Sequence, residues 1–110
     1  MSTYRDPNER VAFKDRLGNC YRLAAQYAIA NRGKLIHGSI EGMGKPRLDH
    51  AWVELDDGSV WEPTLGQLFD ANIFEIFASP IVHTRYNTWQ EASLLALHTE
   101  HWGPWEKEDA

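Results

Sequence analysis

Residues 50–64, HAWVELDDGSVWEPT, decide the fold of this chain because they predict a β-hairpin. The first strand is expected over 49–55. The loop 56–58, Asp-Asp-Gly, has the length and composition of a type I turn closed by a glycine in the left-handed conformation. The second strand is expected over 59–62. Pro63 ends it, because proline cannot donate a hydrogen bond to a neighbouring strand.

The loop length also predicts which side chains share a face of the hairpin. A three-residue loop pairs Val53 with Trp61 and Trp52 with Glu62. His50 precedes Trp52 by two residues, so His50, Trp52 and Glu62 lie on one face, and Glu62 is a diagonal neighbour of His50 at about 7–8 Å. A two-residue loop would move the Glu62 carboxylate to the other face.

A helix is predicted to begin at Cys20, inside the sequence Gly-Asn-Cys-Tyr at 18–21. Asn19 is a suitable N-cap, which places Cys20 in the first turn. Gly33 is expected to stop the helix. Beside Cys20, one helical face carries Leu23, Ala24, Tyr27, Ala28 and Asn31.

The remaining segments predict more strands and a second long helix. A strand is expected over 34–40 and another over 81–86, whereas 65–78 is apolar and irregular, with a short helix packed on the sheet. Thr88 is expected to cap a helix that continues to about residue 98, with Trp89, Ala92, Ser93, Ala96 and Leu97 on one face. The fold class is therefore predicted as α+β, with the helix that carries Cys20 packed against a small antiparallel sheet.

Length and composition predict one domain over 1–110, with 43% hydrophobic residues to build its core. Residues 1–11 are expected to form a loosely held arm, and the acidic segment 106–110 a solvated tail. The formal net charge of -5, without a cluster of Lys and Arg, argues against nucleic acid as a partner. No apolar run approaches the roughly 20 residues that span a bilayer, so no membrane partner is expected. A single cysteine cannot form an internal disulfide and indicates a reducing, cytoplasmic location.

The chemistry suggested by these positions is that of a thiol nucleophile. The unpaired N–H groups at a helix start favour a thiolate at Cys20 and can hold an oxyanion, with help from the Asn19 amide if that side chain is not used as a cap. His50 is expected to exchange a proton with the thiol, and Glu62 to orient the imidazole.

Trp52 and Trp61 are candidates for the walls of a substrate cleft. An aromatic residue on a strand more often belongs to the core, and this interpretation stays open for both.

Three motifs resemble the transglutaminase-like branch of the papain-like cysteine enzymes. That family has Gly-x-Cys-aromatic at a helix start, His-Ala-Trp-Val on a strand and aromatic-Asp-Pro-Thr on the next. The corresponding residues here are GNCY at 18–21, HAWV at 50–53 and WEPT at 61–64, with Glu62 in the place of the family's Asp.

The resemblance covers 18–64 and implies a papain-like core in a small bacterial or phage member. It implies that Cys20 is the nucleophile, His50 the general base and acid, and Glu62 the orienting carboxylate. The expected activity is that of a hydrolase or acyl-transferase (peptidase, amidase or deamidase) acting on a peptide or other amide substrate without a cofactor.

Two other classes of function compete with this hypothesis. A non-catalytic bacterial or phage protein could keep the fold and bind a protein partner. A metal site is the weaker alternative: Cys20, His37, His50 and Glu62 are all ligand types, and His98 and His101 have helical spacing. No pair shows the spacing of a zinc finger, so no metal ligand is assigned.

Overall fold

The computed structural model describes residues 4–41, 46–86 and 88–105. Within these ranges the chain forms four helices and a five-stranded antiparallel sheet with the order β4-β3-β2-β1-β5. The α+β class with an antiparallel sheet is confirmed. The elements are α1 (Phe13–Arg16), α2 (Cys20–Asn31), β1 (Lys34–Ile40), β2 (Leu48–Glu54), β3 (Ser59–Glu62), β4 (Gln67–Asp70), α3 (Ala71–Ala78), β5 (Ile81–Arg85) and α4 (Trp89–Thr99).

Apolar side chains are buried on both faces of the sheet. Helix α2 covers one face, where its buried residues pack against Leu35, Ala51, Val53 and Trp61. Helix α3 covers part of the other face, where Phe74 packs with Trp52. Each β2 side chain therefore belongs to one of two layers, according to its parity along the strand.

The hairpin has the predicted register. Val53 is paired with Trp61, and the Leu55 N–H donates to the Ser59 carbonyl at 3.0 Å. Gly58 has φ of +86°, which a glycine adopts without steric cost. The loop length is thus confirmed as three residues.

Helix α2 buries most of the predicted face, but it ends in a different way from the one expected. Arg32, with φ of +58°, is the left-handed residue at its C-terminus, and the Arg32 N–H donates to the Ala28 carbonyl. Gly33 has another reason to lack a side chain, because a Cβ there would lie 2.6 Å from Val53 Cγ1. The glycine allows the chain to pass close to β2.

Helix α4 begins as predicted, since the Thr88 hydroxyl accepts a hydrogen bond from the Glu91 N–H at 3.1 Å. Its predicted buried face is only partly correct. Ala92 is buried, whereas Leu97 is 78% exposed. The helix contacts α2 along a narrow stripe, so that few of its apolar residues are covered.

The segment 65–78 contains more regular structure than expected. It begins with a turn and continues as strand β4, which pairs with β3, before α3 starts at the Asp70 cap. Strand β4 carries little periodicity of its own because most of its side chains are exposed. Its conformation depends on pairing with β3.

Residues 6–11 are held firmly by Arg16, in contrast to the predicted loose arm. The Arg16 guanidinium is bonded to the Asp6 carboxylate at 2.8 Å, the Asn8 carbonyl at 2.6 Å and the Val11 carbonyl at 3.1 Å. The anchor of this segment is a single buried arginine, which lies outside any hydrophobic pattern. The first three residues of the arm and the predicted tail 106–110 lie outside the described residues.

None of the helices in the described part of the chain has the length and apolar character that crossing a membrane requires.

Candidate active site

His50 and Glu62 are brought together by the hairpin. The His50 Nε2 and Glu62 Oε2 atoms are 2.5 Å apart, and the two residues are only 7% and 3% exposed. The diagonal relation expected from the loop length therefore exists in the structure. A glutamate side chain spans this diagonal even though the neighbouring strands separate at Pro63.

The turn after β3 fixes the Glu62 carboxylate. Its second oxygen, Oε1, accepts a hydrogen bond from the Leu65 N–H at 2.7 Å, and the Glu62 carbonyl accepts from the Gly66 N–H at 2.8 Å. Arg16 supports the same turn by donating to the Pro63 carbonyl at 3.0 Å. The carboxylate is held through both oxygens and has one orientation toward His50.

Cys20 completes the group from the first position of α2. Its side chain is half-buried and lines the same cavity as His50 and Glu62. Since Nε2 of His50 faces Glu62, Nδ1 is the ring nitrogen that remains for the thiol. The structure therefore places all three predicted catalytic side chains around one cavity, with His50 and Glu62 in direct contact.

The surroundings of His50 raise its pKa to about 9. Burial alone lowers the pKa, because it disfavours the charged imidazolium. Hydrogen bonds with Cys20 and Glu62, together with the negative charges of both groups, outweigh burial and favour the protonated ring. This is the electrostatic environment expected for an imidazolium between two acidic groups.

The three side chains line one cavity of about 480 Å³. It lies where β2 and β3 diverge, since the residues paired between these strands are Val53 with Trp61 and Glu54 with Val60. The N-terminus of α2 reaches this opening. The other lining residues are mostly apolar: Phe13, Leu17, Gly18, Ile40, Leu48, Asp49, Thr64, Leu65 and Phe77.

Asn19 occupies the predicted N-cap position of α2, but its side chain is turned elsewhere. Its side-chain amide donates to the Asp15 carbonyl at 2.9 Å and makes no capping bond to α2. It is also not among the residues that line the cavity. The groups suited to hold an oxyanion are instead the first backbone N–H groups of α2, which have no intrahelical acceptor.

The two predicted cleft tryptophans belong to the core. Trp52 is 2% exposed and packs between Phe74 and the His50 ring, whose centroid is 6.4 Å away. Trp61 is 1% exposed and stacks on Tyr27 at 4.0 Å, on the opposite side of the sheet. Neither lines the cavity beside Cys20. Trp52 supports His50 from below and has no access to a substrate there.

Of the four residues in the metal hypothesis, His37 lies apart from Cys20, His50 and Glu62. His37 is opposite Ala51 in the sheet and packs against Tyr21, Tyr86 and Trp105, away from His50. Within the described ranges, no group of three or more His, Cys, Asp or Glu side chains is placed to hold a metal ion.

Sequence reasoning missed the apolar wall and the anchor of the catalytic turn. Phe13 and Arg16 are the first and last residues of the four-residue helix α1, and Leu17 follows it. Nothing in their spacing marks them as neighbours of Glu62, because the contact joins segments more than 40 residues apart. The one available signal was the proximity of this segment to Cys20 in the sequence.

Comparisons with protein-family models, with curated proteins and with solved structures found no match to this chain.

Proposed function

We propose that this protein is a cysteine-dependent hydrolase or acyl-transferase that acts on an amide bond. Cys20 is the nucleophile, His50 the general acid and base, and Glu62 the residue that orients the imidazole. The observation that carries the proposal is the buried His50 ring, which is bonded to a fixed carboxylate and shares one cavity with the Cys20 thiol.

In the first half of the reaction, the Cys20 thiolate attacks the amide carbonyl carbon. An Sγ–C bond forms, and the carbonyl electron pair moves to oxygen, where the N–H groups at the start of α2 stabilise the oxyanion. The oxyanion then re-forms the carbonyl as the C–N bond breaks. The leaving amine takes the proton of His50, whose raised pKa keeps it protonated at neutral pH.

In the second half, a water molecule attacks the thioester carbonyl while His50 accepts one of its protons. The Sγ–C bond breaks, which releases a carboxylic acid and restores the thiolate beside a protonated His50. An amine in the place of water gives acyl transfer. The cavity opens to solvent beside Cys20 and admits either nucleophile.

We further propose a papain-like core of the transglutaminase-like kind. Its support is the arrangement of the parts: the cysteine opens a helix, and this helix packs on an antiparallel sheet whose neighbouring strands carry the histidine and the carboxylate. A thiol without a disulfide partner also agrees with a reducing compartment such as the cytoplasm.

The proposal is tested by alkylation of Cys20 with iodoacetamide, because a single cysteine makes the reaction specific for one site. We expect the native protein at pH 7 to react at least about tenfold faster than a free cysteine peptide, since the thiolate is the reactive form. His50→Ala should abolish this acceleration. Glu62→Gln, which retains the shape of the side chain, should reduce it by a smaller factor.

His83→Ala is the matched control, because His83 is exposed on β5 and does not line the cavity. It should leave the alkylation rate unchanged. A native rate equal to that of the free peptide, and indifferent to His50, would refute the catalytic assignment and favour a non-catalytic interaction protein.

A further inference from the structure

The cavity beside Cys20 has a wall of exposed apolar side chains, which we call the apolar rim: Phe13, Leu17, Leu48, Leu65 and Phe77. Their exposed fractions run from 39% for Phe77 to 61% for Leu48. They come from four separate segments of the chain. The fold thus gathers apolar surface around a polar reaction centre without covering it.

The charges at this site restrict what can bind there. Asp49 is exposed and lines the cavity, whereas the described part of the chain contributes no Lys or Arg to its lining. The positive charge of His50 is already engaged by Glu62. A carboxylate entering the cavity would meet Asp49 and leave its hydration, and among the described lining residues it would find no Lys or Arg to compensate.

We infer that the substrates are amides that carry a large neutral apolar group within a few bonds of the attacked carbonyl. This inference rests on the proposed function and adds the substrate class to it. The group would lie against the apolar rim while the carbonyl reaches Cys20. Removal of apolar surface from water supplies the affinity, at up to about fourfold per buried methylene.

The experiment compares three alkylating reagents of the same chemistry: iodoacetamide, N-hexyl iodoacetamide and iodoacetate. In each reaction the Sγ–C bond forms as iodide leaves. The rate of each reagent with Cys20 is divided by its rate with glutathione, which corrects for the intrinsic reactivity of the reagent. We expect N-hexyl iodoacetamide to gain at least about tenfold over iodoacetamide and to saturate with concentration, and iodoacetate to fall below both.

Two variants of the same residue type assign the effect to the apolar rim. Leu48→Asp should abolish the preference for the hexyl reagent. Leu97→Asp should keep it, because Leu97 is 78% exposed on α4 and does not line this cavity. The inference would be overturned if the three reagents gave equal glutathione-normalised rates with the native protein. It would also be overturned if Leu48→Asp and Leu97→Asp lost the preference for the hexyl reagent to the same extent.

A binding measurement separates this inference from the proposed chemistry. In Cys20→Ala protein, the unreactive N-hexylacetamide should shift the NMR signals of Leu48 and Leu65 saturably and leave Leu97 unaffected. If the alkylation rate of Cys20 depends on His50 but shows no preference for the hexyl reagent, the proposed function is retained and the substrate class is refuted. If N-hexylacetamide binds saturably but the alkylation rate does not depend on His50, the proposed function is refuted, and the substrate class with it. The cavity would then be an apolar binding site without the proposed chemistry.

Discussion

At the scale of single residues, His50 is the group on which the proposed chemistry depends. Its ring is buried, which by itself lowers its pKa, and the pKa is raised only through the influence of Cys20 and Glu62. Glu62 in turn is fixed by the Leu65 N–H. The protonation state of one imidazole therefore reports the integrity of the whole site.

We expect the NMR titration of the His50 ring to have its midpoint near pH 9 in the native protein. Glu62→Gln and Cys20→Ala should each lower the midpoint, because each removes a hydrogen bond and a negative charge while burial remains. An unchanged His50 midpoint in both variants would contradict the contacts described here.

The same pKa makes stability depend on pH. Since the pKa of His50 rises from 6.5 in the unfolded chain to about 9 in the folded protein, the stabilisation is complete below pH 6.5 and is lost as the pH rises through 9. The loss amounts to about 3 kcal/mol in the free energy of unfolding. Urea unfolding of native protein and His50→Ala between pH 6 and 10 measures it: the difference between the two should shrink across this interval. A constant difference would exclude the linkage.

At the scale of elements, a glycine in β1 allows strand β5 and the Trp52 side chain to approach at the level of the site. Gly38 is paired with His50, and a Cβ on Gly38 would lie 2.0 Å from the Ile81 carbonyl oxygen and 2.9 Å from Trp52 Cη2. The close approach of β5 and the position of Trp52 beneath His50 both require that no side chain be present at this position.

Gly38→Ala is therefore expected to lower the free energy of unfolding by about 2 kcal/mol or more, because the clash involves backbone and not a flexible side-chain tip. Lys34→Ala, at the exposed start of the same strand, should change it by no more than about 0.5 kcal/mol. Urea unfolding at pH 7 compares the two. Equal free energies of unfolding for Gly38→Ala and Lys34→Ala would show that β1 and β5 can separate at little cost.

At the scale of the whole molecule, Arg16 joins the N-terminal segment to the catalytic turn. It is 5% exposed, and its guanidinium bonds to residues 6–11 on one side and to the Pro63 carbonyl on the other. A Cβ on Gly66 would lie 2.9 Å from the Arg16 guanidinium carbon, so the turn closes tightly around this group. Residues before Cys20 thus help to position Glu62, which lies at the end of β3.

Arg16→Met retains an unbranched apolar stem and removes every donor. We expect it to lower the free energy of unfolding by about 3 kcal/mol, because Asp6 is left buried without its partner. We also expect it to slow Cys20 alkylation and to lower the His50 titration midpoint, through loss of the Pro63 contact. Arg47→Met is the matched control: Arg47 bonds to the carbonyls of Ser39 and Ser79, away from Glu62, so His50 should titrate as in the native protein. An unaltered His50 midpoint in Arg16→Met would limit Arg16 to a structural role.

Local chemistry in the sequence was sufficient to predict the helix at Cys20, the hairpin, and the side of the hairpin on which His50 and Glu62 meet. A turn of three residues that contains a glycine sets the register, and the register sets side-chain parity; both depend on neighbours in the chain. The tertiary structure decided what depends on distant segments. Strand β4 forms because β3 offers it a partner, Trp52 and Trp61 are buried because helices cover both faces of the sheet, and Asn19 turns to the Asp15 carbonyl instead of the site. The role of Arg16 and the apolar rim were found only in the tertiary structure, since each joins residues that share no periodic pattern and meet through packing alone.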